Sequence, residues 1–138
     1  SRNQIMAIKE ESVTEQKNSL AVCLDNILRH AGITRNTEYD LAQGKTATTI
    51  LSENMTGVQV LDLSGCTLDA VLYYVNQDIP VLAILEDGEA VLVTGFNEFN
   101  VVIMEPATGK LYKKGMNDAT AWFAENGNHF ITYMRTEN

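Results

Sequence analysis

The sequence predicts an α+β domain, with its helices first and an antiparallel sheet after them. Three observations predict it. Apolar residues recur at helical spacing in the first half, at Leu20, Cys23, Leu24, Ile27, Leu28 and Ala31 and again at Leu68, Val71, Leu72 and Val75. From Pro80 the pattern changes to apolar, β-rich runs, VLAIL, AVLVTGF and NVVIM, parted by EDGE and NEFN. A single late helix and a final strand follow them. Helices segregated from antiparallel strands define α+β.

Each element has a local reason. Residues 1–17 are polar and charged, with few apolar anchors past Ile8, and read as a linker or N-terminal arm. Residues 18–136 read as one domain. The first helix begins at Asn18 or Ser19, either of which can accept a free backbone N–H, and stops at Gly32. His30 lies in its last turn, where the helix dipole favours a cation. Tyr39, Leu41, Ala47, Ile50, Leu51 and Met55 predict two short helical pieces joined near Gly44. Val58, Val60 and Asp62 belong to a short strand after Gly57, and Thr67 caps the next helix. Asp87-Gly88 and the stretch around Asn97 and Asn100 are turn chemistry. The three strands they join are almost wholly apolar, which predicts a sheet covered on both faces. PATGK turns into a short LYKK strand. Asp118 is expected to cap a helix carrying Ala119, Trp122 and Phe123, closed by Gly127, before HFITYM.

Composition narrows the function. The 138 residues are 45% hydrophobic and 20% charged, with a net charge of −8, ordinary values for a globular domain. A surface this acidic repels phosphate backbones and anionic lipid, so nucleic acid is not an expected partner. Lys113 and Lys114 make a pair, not a basic stripe. No apolar run is long enough to cross a bilayer, and no signal-peptide layout is present. Starting at Ser1 without an initiator Met, the chain reads as an excised fragment or a mature domain. Cys23 and Cys66 lack metal-type spacing; each stands beside helical apolar residues and is expected to be a buried thiol.

The stretch from NSLAVCLDNILRHAG to GEAVLVTGFNEFNVVIMEPATGK resembles the bacteriocin-processing, double-glycine-leader cysteine peptidases and their papain-like relatives. The resemblance covers roughly residues 16–134. It rests on an ordered series: a first helix ending at a Gly, Pro80-Val81 opening a strand, Gly88, Thr94-Gly95-Phe96 closing the next strand, and Pro106 after the third. It implies a papain-like peptidase fold, with N-terminal helices packed on the antiparallel sheet. In that family a nucleophilic Cys opens the first helix, a His follows the Gly, and an Asp precedes the later Pro. Here those positions hold Ser19, Glu89 and Glu105. Their separations are 70 residues (89 − 19) and 16 residues (105 − 89), similar to the family's. Gln16 is the nearest candidate for the Gln that helps form the oxyanion hole, and it stands unusually close to Ser19.

These substitutions remove the chemistry. A cysteine peptidase needs a thiolate, made by a neighbouring imidazole and a helix N-terminus. Ser19 keeps the helix N-terminus but loses the acidic thiol. Glu89, with a carboxylate pKa near ~4.3, is a weak base at neutral pH, and without a His there is nothing for Glu105 to orient. A one-residue shift would put Ala90 in the His position. His30 lies some 16 Å along the helix from Ser19, at about 1.5 Å per residue. The resemblance therefore implies a degenerate, non-catalytic member, a pseudo-peptidase. Degenerate relatives serve as substrate-docking domains of export machinery, so it implies a module that binds a peptide or a neighbouring domain of a larger bacterial protein. The alternatives are an active cysteine peptidase pairing Cys23 or Cys66 with His129, and a purely structural domain. A groove beside Ser19 would favour binding; one filled by Tyr73, Phe99 or the arm would favour structure. Two glutamates do not define a metal site, and no cofactor is expected.

Overall fold

The computed structural model describes residues 18–136; the expected arm at 1–17, with Gln16, lies outside them. Eleven elements follow in order: α1 (Ser19–His30), α2 (Glu38–Ala42), α3 (Ala47–Asn54), β1 (Val58–Asp62), α4 (Leu68–Val75), β2 (Val81–Ile84), β3 (Ala90–Phe96), β4 (Asn100–Met104), β5 (Leu111–Gly115), α5 (Met116–Glu125) and β6 (His129–Arg135). The sheet order is β1-β6-β2-β3-β4-β5, every neighbouring pair antiparallel. This is the expected α+β architecture, and β2 to β5 form the expected meander. The last strand does not extend that meander. It inserts between β1 and β2, pairing Val60 with Tyr133 on one side and Leu82 with Ile131 on the other.

Alternation along the strands sorts the interior into two layers. Leu82, Leu92, Met104 and Ile131 are cross-strand partners on one face, where they meet Cys23, Leu24 and Ile27 of α1 and Ile50 of α3. Val81, Val93, Ile103 and Phe130 face the other way, against Val71 of α4 and Phe123 of α5. The central strands are therefore buried on both sides, as their continuous apolar runs predict. Helices lie on both faces, not in one block beside the sheet. Phe123 is the hub of the second layer, with its ring centroid 5.3 Å from that of Phe130 and 5.0 Å from that of Trp122.

Two local expectations need correction. Asp118 does not cap α5. Gly115, still paired with Asn100 as the last residue of β5, is the capping position, and Met116 N–H donates to the Phe99 carbonyl at 2.7 Å. The strand runs straight into the helix, so the helix starts two residues before the acidic side chain. Asp118 falls in the first turn, where its charge still favours the helix N-terminus. Cys66 is half-buried, because Cys66 and Thr67 lead into α4 at the rim of the second layer, not inside it.

Candidate functional site

The site is built where α1 meets β3. Asn18 caps α1, its side-chain oxygen accepting from Leu20 N–H at 2.8 Å and Ala21 N–H at 3.2 Å. This leaves the hydroxyl of Ser19, the first helical residue, free of capping duty. Its Oγ accepts the backbone N–H of Ala90 at 2.9 Å. That N–H needs an outside partner. Ala90 pairs with Ile84 of β2, but β4 ends at Met104, opposite Leu92, so no strand residue stands beside Ala90 on that side. Ser19 supplies the missing acceptor. The two stretches that the resemblance aligns with nucleophile and base, 71 residues apart in this contact, are thus brought together.

Among the described residues neither glutamate carboxylate is hydrogen-bonded to Ser19. Glu89 is exposed; its N–H donates to Asp87 Oδ1 at 2.9 Å and its carbonyl accepts from Leu85 at 2.8 Å, closing the β2–β3 turn around Gly88 (φ +87°). Glu105 is exposed and folded into its own turn, accepting from Thr108 Oγ1 at 3.0 Å. Its charge acts on Tyr112, whose hydroxyl is pushed up first by burial and then by Glu105. Tyr112 is the cross-strand partner of Ile103 and so stands on the face opposite α1.

The sulfurs and imidazoles lie apart. Cys23 is fully buried and its thiol is pushed up to about 12 by that burial, which makes it inert as a nucleophile near neutral pH. His30 is tied to the α4–β2 loop: its Nε2 lies 3.0 Å from the Asp78 carbonyl and 3.5 Å from Asp78 Oδ2. Asp78 sits at φ +65°, a left-handed conformation that costs a non-glycine residue energy and that this contact helps hold. His129 opens β6 opposite Ile84. Its neighbour Phe130 points into the layer with Cys66, so alternation directs His129 to the other face. Asp62 is held below the usual carboxylate range, chiefly by the Ser64 hydroxyl and in smaller part by His129. Among the described residues neither cysteine is hydrogen-bonded to a histidine, and no cluster of metal-ligating side chains is present.

Sequence reasoning missed two features. Arg35 holds Asp40, which is 5% exposed, by a forked contact with the closest approach at 2.9 Å, while Asp25 accepts both the N–H and the hydroxyl of Thr37. These pairs pin the loop after α1 and have no periodic signature. Two cavities flank the C-terminal half of α1. One, of about 570 Å³, is lined by His30, Met55, Val58, Tyr133 and Arg135. The other, of about 360 Å³, lies between α1 and β3–β5, lined by Asn26, His30, Leu92, Thr94, Met104 and Leu111. Neither includes Ser19 or Glu89. Tyr73 and Phe99 are 62% and 70% exposed, so they fill no groove.

This architecture is a papain-like fold. A crystal structure from Bacillus anthracis, provisionally described as a C39-like peptidase, superposes with a TM-score of 0.73 at 14% identity, covering 89% of this chain and 91% of that one. No family model matches the chain, and no curated protein matches it. The fold is therefore that of C39-like peptidases, as the resemblance implies.

Proposed function

We propose that this domain is a non-catalytic peptidase-like module that binds a peptide or a neighbouring domain of a larger bacterial protein. The observation that carries the reading is the hydrogen bond between Ser19 and Ala90. Where the family holds a nucleophile, this chain holds a hydroxyl engaged by backbone, and the contact works as a joint between helix and sheet. Two further observations support it. Glu89 and Glu105 are exposed, and each serves its own turn, Glu89 through its backbone and Glu105 through its carboxylate. The more deeply placed thiol, Cys23, is suppressed by burial.

The test has two arms. Leader peptides ending in Gly-Gly, and the other domains of the parent protein, are incubated with the domain and followed by mass spectrometry and by a binding titration. Binding with no cleavage is the expected result. Cleavage overturns the non-catalytic reading, and absence of binding to both overturns the docking role. Iodoacetamide labelling near pH ~6 adds an independent check, because only an activated thiolate reacts quickly there. Slow labelling of both cysteines is expected; rapid labelling of Cys66 or Cys23 would reveal an activated thiolate and overturn the argument that no cysteine is catalytic.

A further inference from the structure

Strand β5 forms one edge of the sheet, paired with β4 on one side and with no strand on the other among the described residues. An edge strand presents unpaired N–H and C=O groups outward, a template for another extended chain. Proteins commonly guard such edges with lysine, and here Lys110, Lys113 and Lys114 fall within five residues. Protection alone does not account for the rest of the strand. Leu111 is 62% exposed and Tyr112 39% exposed, one on each face of the sheet. Phe99 and Phe96, in the β3–β4 turn at the Gly115 end of the strand, are also exposed.

The edge adjoins a cavity. Leu111 stands at the rim of the cleft of about 360 Å³, whose floor is Leu92 and Met104. The register between β3 and β4 shifts between Val93 and Gly95, and Thr94 lines the cleft at that bulge. Bulges of this kind re-aim side chains and are frequent beside functional sites. The charge at this edge also runs against the chain as a whole, whose net value is −8. None of the three lysines forms an ion pair among the described residues; Lys114 Nζ rests 4.8 Å from the Trp122 ring centroid. Since screening limits charge effects to about 8 Å at physiological ionic strength, a chain laid along β5 responds to these lysines before it responds to the net charge.

We propose that β5 is a docking edge for an extended acidic segment of a partner protein. The segment adds as a strand beside Leu111–Gly115. Its alternate apolar side chains enter the cleft on the face of Leu111 and Met104, and its carboxylates lie on the other face, beside Lys110 and Lys114. Main-chain hydrogen bonds supply affinity, while the cleft and the lysines supply selection. The inference rests on the reading that the domain holds a peptide, and it adds the place and the chemistry.

The probe is a synthetic peptide alternating Val and Glu, titrated into isotope-labelled domain and followed by amide shifts and hydrogen exchange. The expected result is new protection at β5 with shifts at Thr94 and Met104. The same peptide with Lys in place of Glu should not bind, and the variant Lys110→Glu should bind the acidic peptide roughly tenfold more weakly, through lost charge complementarity. Lys110 is exposed, so the variant folds. Equal binding of acidic and basic peptides overturns the proposal, as does an unchanged affinity in the variant. Shifts confined to Ser19 and Glu89 overturn the edge while leaving a peptide-binding module in place. Failure of this peptide together with Gly-Gly leaders and parent domains overturns both.

Discussion

Replacing Ser19 by alanine isolates the joint between α1 and β3. The substitution removes the acceptor of the Ala90 N–H, on a residue that is 1% exposed. A donor left unsatisfied in such a position costs about 1–3 kcal/mol. Alanine returns part of this, about 0.5 kcal/mol, through its better helix propensity. The net expectation is a loss of about 0.5–2.5 kcal/mol, or a fall in Tm of about 2–10 °C for a domain of this size. Urea unfolding followed by fluorescence of Trp122, the sole tryptophan, reads it directly. The midpoint should fall with an unchanged slope, because little extra surface is exposed. Ser19→Thr keeps a hydroxyl at the helix start and should retain most of the stability. If Ser19→Ala unfolds within about 0.3 kcal/mol of the parent domain, the hydrogen bond does not join the two elements. The argument that this position has become structural would then fail.

Three other outcomes follow from the packing and charge arrangement. Phe123→Ala, at 1% exposure, should lower stability by about 3–5 kcal/mol through lost burial and the cavity it leaves, measured in the same unfolding assay. Arg35→Met strips the partner from the Asp40 carboxylate, which is 5% exposed, and should lower stability by about 1–3 kcal/mol at neutral pH, an effect that shrinks when Asp40→Asn is added. The Cys23 thiol holds its proton more tightly folded than unfolded, since burial pushes it up to about 12. Its contribution is fully present below the unfolded value of about 8.5, and stability then declines by up to ~1.4 kcal/mol per pH unit as pH rises toward 12. Cys23→Val should lose that part of the alkaline slope; an identical pH profile would refute the assignment.

Much of the fold is legible because its signals are local. The helical spacing of Leu20 to Ala31 and of Leu68 to Val75 reports which side of each helix is buried, and the structure buries Leu24, Ile27, Val71 and Leu72 as that spacing requires. The unbroken apolar runs of β2 to β4 report burial on both faces, and both layers are present. What escapes the sequence is long-range. Nothing in HFITYM tells a strand at the edge of a meander from one inserted between β1 and β2. The start of α5 escaped for the opposite reason: Asp118 is a good cap by type, but the Asn100–Gly115 pairing sets the helix start earlier. At the site, the ordered series singles out Ser19 and the residues after Gly88 by resemblance; the hydrogen bond from Ala90 to Ser19 is a long-range contact that only the structure reveals. The two cavities along α1 do not reach Ser19, and they depend on how helix, loop and sheet are spaced.

The insertion of β6 has a consequence for how the protein is made. Val58 pairs with Arg135, and Leu82 with Ile131, so the last strand bridges a sheet whose other parts are synthesised long before it. While the chain is still leaving the ribosome, β1 has no neighbour and β2 lacks one of its two. The hairpins from β2 to β5 can form early, since their contacts are close in sequence. Closure waits for residues 129–135. A stop codon before them would release two unjoined pieces of sheet with open edges, a species prone to aggregate. The domain therefore commits to its structure in one late step, after which the first and last strands are held together.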